Sequence, residues 1–286
     1  MSDTAISDSV QNYYGQVLKS SGDLKTSACC TLDAMRRYLR PLLADIHPEV
    51  VERYYGCGSP LPPVLDGCTV LDLGCGSGQL THKISQLARE VVGIDSSAEM
   101  IADAKEKFKG INFQVADAAR FNFEEEFDAI FSNATLHWVL NYKEAIQCMF
   151  DNLNDNGRIV LEFGGKGNVQ NIVNQLRKSL INRGYIEQSR LKQWYFPSIG
   201  EYAIELEAAG FRVTMAQHFD RPTELADKTT GIKDWIAMFG KAFFNNVTLE
   251  HIEEIKEEVQ DSVQSKCFKN GKWYADYKRI RIVAVK

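Results

Sequence analysis

The segment VLDLGCGSG, residues 70–78, constrains the fold of this chain more than any other. An apolar run carrying Asp72 leads into glycines at 74, 76 and 78, and the helix-forming stretch QLTHKISQLA follows. Glycine lets the backbone turn tightly out of a strand and leaves main-chain N–H groups open to a ligand at the next helix N-terminus. In open α/β sheets such turns face the crevice at the carboxyl ends of the strands. A dinucleotide GxGxxG pattern would need its third glycine at position 79, where this chain has Gln79, and that counts against a hydride-transferring enzyme.

The pattern downstream alternates. CTVLDLG, EVVGID, INFQVAD, FDAIFSNA and GRIVLEF read as short apolar strands, and AEMIADAKEKF and YKEAIQCMFDNL read as helices between them. Continuously apolar strands separated by helices predict a parallel sheet covered on both faces, hence an α/β fold. GNVQNIVNQLRKSLINRG and WYFPSIGEYAIELEAAG continue as helices, and FRVTMAQHF as a strand. A helical insertion at about 222–270 precedes the last strand, KRIRIVAVK, and could form part of a lid. Residues 8–56 read mostly as helix and SPLPP (59–63) as a loop, which divides the chain into an N-terminal helical cap at 1–63 and a domain at 64–286.

Three aspartates fall one per strand end. Asp95 closes VVGID, where a carboxylate can accept both ribose hydroxyls, and Asp117 follows FQVA, where an acid can meet an adenine amino group. Asp72 lies inside the first strand's end, and a buried carboxylate there needs partners from a ligand ammonium or the loop N–H groups. Each alone could be a cap or turn residue; caps do not explain the set.

In order, VLDLGCGSG, VVGIDSSAEMI, VADAARF, FDAIFSNATLHWV and NGRIVLEF resemble the Rossmann-like S-adenosylmethionine-dependent methyltransferases over about residues 64–165. The resemblance implies a seven-stranded, mostly parallel sheet whose final pair is antiparallel. It further implies that Gly74, Gly76 and Gly78 hold the methionine part of S-adenosylmethionine. Asp95 and Ser96 would hold the ribose, Asp117 and Ala118 would flank the adenine, and Asn133 would lie near the sulfonium. The product would be S-adenosylhomocysteine.

The two ends of the chain resemble different relatives. SNATLHWV, LEFGGKGN, YFPSIGEYAIELEAAGF, HFDRPTEL and WYADYKRIRIVAVK are similar to trans-aconitate-type small-molecule methyltransferases, across residues 80–286. That group esterifies carboxylates, and the likeness and placement nominate His137, Trp138, Trp194, Tyr195 and Arg221 around the acceptor, with His137 and Arg221 as catalytic candidates. Residues 10–78, through VQNYYGQVLKSSGDLKTSACCT and YYGCGSPLP, resemble the N-terminal region of arsenite methyltransferases. This implies that Cys29 or Cys30, with Cys57, holds trivalent arsenic, a soft ion suited to thiolate. Tyr13 and Tyr14 would close over the cofactor. The family's next cysteine falls after strand four, where this chain has Ala134.

Composition fixes the remaining limits. A net charge of −5 supplies no basic footprint for nucleic acid, so a small soluble acceptor is expected. No apolar run reaches the roughly 20 residues that span a bilayer. With no recognisable signal segment, a cytoplasmic location is expected. Seven cysteines then read as buried thiols or soft ligands, with Cys68, Cys75 and Cys148 as packing residues. Nothing in the sequence demands more than a monomer. The competing reading outside the enzymes is a cofactor- or metalloid-binding protein without transfer activity.

Overall fold

The structure is a computed structural model, and it describes residues 65–286. The expected N-terminal helices and the proline loop, with Tyr13, Tyr14, Cys29, Cys30 and Cys57, lie outside the described residues.

Strands and helices alternate as the apolar runs predict: β1 (Thr69–Leu73), α1 (Gln79–Ser85), β2 (Glu90–Asp95), α2 (Ala98–Lys107), β3 (Asn112–Val115), β4 (Phe127–Asn133), α3 (Tyr142–Asp151) and β5 (Leu153–Gly164). Then follow α4 (Gln170–Asn182), α5 (Ile186–Ser189), α6 (Ile199–Ala208), β6 (Arg212–Asp220), β7 (Thr223–Glu224), α7 (Gly231–Phe239), α8 (Leu249–Cys267), β8 (Phe268–Lys269), β9 (Lys272–Ala275) and β10 (Lys278–Val285). Seven strands form one sheet in the order β3-β2-β1-β4-β5-β10-β6. β1 pairs in parallel with β2 and β4, β2 with β3, and β4 with β5, while β10 runs antiparallel to β5. This is a Rossmann-like, mostly parallel α/β sheet.

The reversal between β1–β2–β3 and β1–β4–β5 creates a topological switch point at the exits of β1 and β4, where such sheets place ligands. Both faces are apolar because helices cover both. Leu71, Leu73, Ile130, Leu161, Phe163, Ile280 and Ile282 meet Ile146 and Met149 of α3 and Tyr202 and Leu206 of α6. Val70, Ala129, Phe131 and Val160 meet Ile84 of α1 on the other face. The 3.6-residue spacing on each helix supplies that stripe.

The described residues divide into two compact units. The sheet unit comprises 65–166, 194–219 and 279–286; the second comprises 167–193 and 220–278. In the second, Ser179 of α4 and Arg183, which follows that helix, bind Glu258 of α8 at 2.8 and 2.5 Å. Ile172, Leu176, Ile255, Val259 and Val263 are buried there, so α8 hides an apolar stripe beneath its charged face. This unit also carries a three-stranded sheet, β7-β9-β8, that no strand pattern in the helical reading of 222–270 anticipates. The hairpin between β8 and β9 turns on Asn270 and Gly271, both with positive φ (52° and 73°), as a type I′ turn requires.

Candidate active site

β1 delivers the glycine turn. Gly74, Gly76 and Gly78 all take left-handed φ values of 79°, 54° and 84°, a region that costs other residues backbone strain. The three differ in what surrounds them. A Cβ on Gly74 would lie 2.1 Å from Thr135 Oγ1, and one on Gly78 would lie 2.7 Å from the ring of Phe113. A Cβ on Gly76 would meet nothing within 4 Å among the described residues, so on that side the turn is open toward them.

β2 delivers Asp95 to the turn. Its Oδ2 accepts the Gly76 N–H at 3.0 Å and its Oδ1 accepts the Ser97 N–H at 2.9 Å. Ser97 in turn caps α2 by accepting the Met100 N–H. Burial pushes the Asp95 carboxyl up, opposed by the N–H groups of Ser97, Gly76 and Ser96. Asp72 is 2 % exposed, and Thr81 of α1 donates its hydroxyl to Oδ2 at 2.7 Å. Burial raises its pKa from 3.8 to about 7; the Thr81 hydroxyl opposes the rise, and the Asp95 charge adds to it. The partner foreseen for Asp72 was a ligand or the loop N–H groups, and the helix hydroxyl is the contact that sequence alone misses.

At the exit of β3, Asp117 is exposed and makes a turn: Oδ1 accepts the Ala119 N–H at 2.9 Å and its carbonyl accepts the Arg120 N–H. Ala118 beside it is 9 % exposed. Asn133 closes β4, and its Oδ1 is buried with no hydrogen-bond partner among the described residues. Ala134 follows with φ 60° and donates its N–H to the Glu162 carbonyl at 2.7 Å. A non-glycine residue held left-handed stores strain of the kind that clusters at functional sites. Thr135 Oγ1 donates to the Gly74 carbonyl at 3.3 Å, locking the β4 exit onto the β1 exit.

The turn after β4 holds His137, 8 % exposed. The Gly164 N–H at the end of β5 is directed at its Nδ1 at 3.4 Å, and its carbonyl accepts the Tyr195 N–H at 2.9 Å. Burial, then the charge of Arg279, holds the imidazole well below the ordinary histidine pKa. The ring is therefore neutral, and with Nδ1 accepting, the proton sits on Nε2. His137 packs against Trp138 and Phe196, with ring centroids 5.4 and 5.8 Å apart. Trp194 meets Trp138 edge-on at 5.7 Å, and Tyr195 stacks on Tyr142 at 3.9 Å.

His137, Trp138, Trp194 and Tyr195 lie together in the sheet unit. Arg221 belongs to the second unit, where its N–H binds the Tyr277 carbonyl. Phe196, Tyr142, Thr135 and Arg279 complete the sheet unit's set; only the two arginines of KRIRIVAVK, charges inside an apolar strand, mark one of them in the sequence. Cys75 is 8 % exposed, hydrogen-bonds weakly to the Gly76 carbonyl, and burial raises its thiol well above the usual range. Cys68 and Cys148 pack at the edges of the two sheet-face cores. Among the described residues no three His, Cys, Asp or Glu side chains gather as a metal site, and no helix is long and apolar enough to cross a membrane.

Residues 65–194 match a family model described as a methyltransferase domain. The chain is 44% identical over 146 residues to the arsenite methyltransferase of Aquipseudomonas alcaligenes, covering 46% of this chain and 42% of that protein. Its alignments with the rat, mouse and human arsenite methyltransferases also span less than half of those proteins. Similarity to the malonyl-[acyl-carrier protein] O-methyltransferase of Bacillus anthracis is 27% over 163 residues, 55% of this chain and 61% of that one. The fold is shared with a Bacillus halodurans C-125 crystal structure assigned to the methyltransferases, with a TM-score of 0.55 and 18% identity over 77% of this chain and 93% of that one. An uncharacterized methyltransferase of Schizosaccharomyces pombe, C70.08c, is 34% identical over 230 residues, which cover 76% of this chain and 86% of that protein. Such identity along most of a methyltransferase, on a sheet of this strand order, makes this chain a member of the Rossmann-like S-adenosylmethionine-dependent methyltransferase family.

Proposed function

We propose that this protein transfers the methyl group of S-adenosylmethionine to a carboxylate oxygen of a small acid. Gly74, Gly76 and Gly78 hold the methionine part, with Asp72 beneath them; Asp95 and Ser96 hold the ribose, and Asp117 and Ala118 flank the adenine. Two observations among the described residues support the fit: the open side of Gly76, and the buried Oδ1 of Asn133, which has no hydrogen-bond partner there, at the proposed sulfonium end. When bound, the cofactor supplies a methyl carbon activated by positive sulfur.

The residues around the acceptor align it and exclude water, which is most of what in-line methyl transfer needs. The state of His137 carries the choice of acceptor. Its Nδ1 is engaged by the Gly164 N–H and the ring is held neutral, so Nε2 offers a proton and takes none. Hydroxyl and amine acceptors need a base, whereas a carboxylate is already ionised and needs a donor that holds it. Trp138, Trp194 and Phe196 supply an aromatic wall for that acceptor. The Bacillus anthracis relative, named as a malonyl-[acyl-carrier protein] O-methyltransferase, supports transfer to oxygen.

Trivalent arsenic is the second reading, favoured by 44% identity to an arsenite methyltransferase over 146 residues. It would draw on Cys29 or Cys30 with Cys57. Against it stand Ala134 at the strand-four position and the inert thiol of Cys75. Incubation with S-adenosylmethionine and either carboxylic acids or arsenite with thiol separates the two. Methyl esters support the carboxylate reaction, and methylated arsenic alone supports the other.

A further inference from the structure

The two edges of the main sheet differ. At one end β3 is four residues long; at the other β6 runs for nine. Seven of those nine are exposed, on both faces of the strand, and only Val213 and Phe219 are half-buried. β10 occupies one side of β6, and among the described residues no strand pairs with the other. The strand itself is anchored: Thr214 Oγ1 donates to the Val283 carbonyl at 3.1 Å, and His218 Nε2 lies 3.1 Å from the Lys166 carbonyl.

A bare strand edge offers a row of N–H and C=O groups to another chain, and folds ordinarily blunt it with shortness, proline, charge or a bulge. VTMAQHF, residues 213–219, carries no Lys, Arg, Asp, Glu or Pro. Arg212 opens the strand and Asp220, which also binds Lys278, closes it. Laid antiparallel on a second copy about Ala216, this strand complements itself. Arg212 meets Asp220, Val213 meets Phe219, Thr214 meets His218, Met215 meets Gln217, and Ala216 meets its own image at the two-fold axis. Opposite charges and apolar or aromatic pairs stabilise neighbouring strands, and the smallest side chain lies where identical residues must face each other. Alternation puts Met215, 38% exposed, on the face of Val213 and Phe219, so pairing covers apolar surface that the single chain leaves in water.

We propose that two copies of this chain pair antiparallel through β6, centred on Ala216, into a dimer with one continuous sheet. The switch point at the exits of β1 and β4 stays clear of this interface, with β5 and β10 between.

Sedimentation velocity of the full chain over about a hundredfold range of concentration tests this, beside Ala216→Lys and Gln114→Lys. The wild type is expected to reach twice the chain mass. Ala216→Lys sets two like charges face to face and is expected to raise the dimer dissociation constant about tenfold or more. Gln114→Lys, on the opposite edge, should leave it unchanged. Ala216→Cys under mild oxidation should cross-link copy to copy at residue 216, read by peptide mass mapping, whereas Thr214→Cys, offset from its own image, should not. Thermal stabilisation by S-adenosylhomocysteine should match the wild type in every variant, and the Cys variant serves if the Lys variant does not fold. A monomer at every concentration overturns the proposal, including one whose β6 amides resist hydrogen exchange because another part of the chain covers them. A dimer that survives Ala216→Lys undiminished, or that gives no cross-link at 216, overturns it as well.

Discussion

The hydroxyl of Thr81 donates to Asp72 Oδ2 at 2.7 Å, joining the first turn of α1 to the end of β1 beneath the glycine loop. One hydroxyl does not offset the burial of a carboxylate, and the group titrates at about 7 instead of 3.8. Its sign is that of an acid more easily protonated in the fold. Between about pH 4 and about pH 7 the unfolded chain has released the proton and the folded chain has not, so stability falls as pH rises, then levels. One pKa unit is about 1.4 kcal/mol, so Asp72 costs the free protein on the order of a few kcal/mol above neutrality. Denaturation of Asp72→Asn beside the wild type at several pH values checks this: the variant gains relative stability toward alkaline pH.

The three turn glycines separate under substitution. Gly74→Ala places a methyl group 2.1 Å from Thr135 Oγ1 and keeps a left-handed φ, so it is expected to lower stability by about 2 kcal/mol or more. Gly76→Ala carries the φ strain, about 1 kcal/mol, with no clash among the described residues. Its larger effect should be on the cofactor, whose backbone approach the methyl group obstructs. Chemical denaturation and cofactor titration of both variants distinguish the two.

The repeating core was legible in the sequence, and the site was legible in part. Strands β1 to β5 lie where the apolar runs predict, because a sheet covered on both faces needs continuous apolar strands. The glycine turn and Asp95 were readable because few other residue types tolerate those backbone angles and that strand end. The β8–β9 hairpin was missed within a helical insertion, although Asn270-Gly271 is a strong type I′ signal. The tautomer of His137 and the pairing of Arg279 with Gly164 could not be read. Both depend on which residue of β5 a distant strand meets, and that register is set by tertiary packing.

A neutral His137 predicts the shape of the pH profile. At saturating cofactor and acceptor, kcat should show no rising limb near pH 6.5, because no imidazole base titrates there. His137→Ala is expected to raise the acceptor KM and to leave the profile flat. A limb near neutrality that disappears in His137→Ala would assign it a basic role.

Cys75 is expected to be chemically silent. Its buried thiol is held well above the usual range by desolvation, then by the nearby charges of Asp72 and Asp95, and the thiolate is the reactive form. Iodoacetamide at about pH 8 should leave it unmodified in the folded protein, as read by peptide mass mapping. Cys75→Ala should retain cofactor binding.

The central claim, methyl transfer from S-adenosylmethionine to a carboxylate oxygen, meets its most direct test in the products. The purified protein is incubated with methyl-labelled S-adenosylmethionine and the di- and tricarboxylic acids in turn, with arsenite and thiol in a parallel reaction, and the labelled product is identified by mass spectrometry. A base-labile methyl ester, formed in step with S-adenosylhomocysteine, is the predicted result. Label found only on arsenic, or on no acceptor at all, contradicts it.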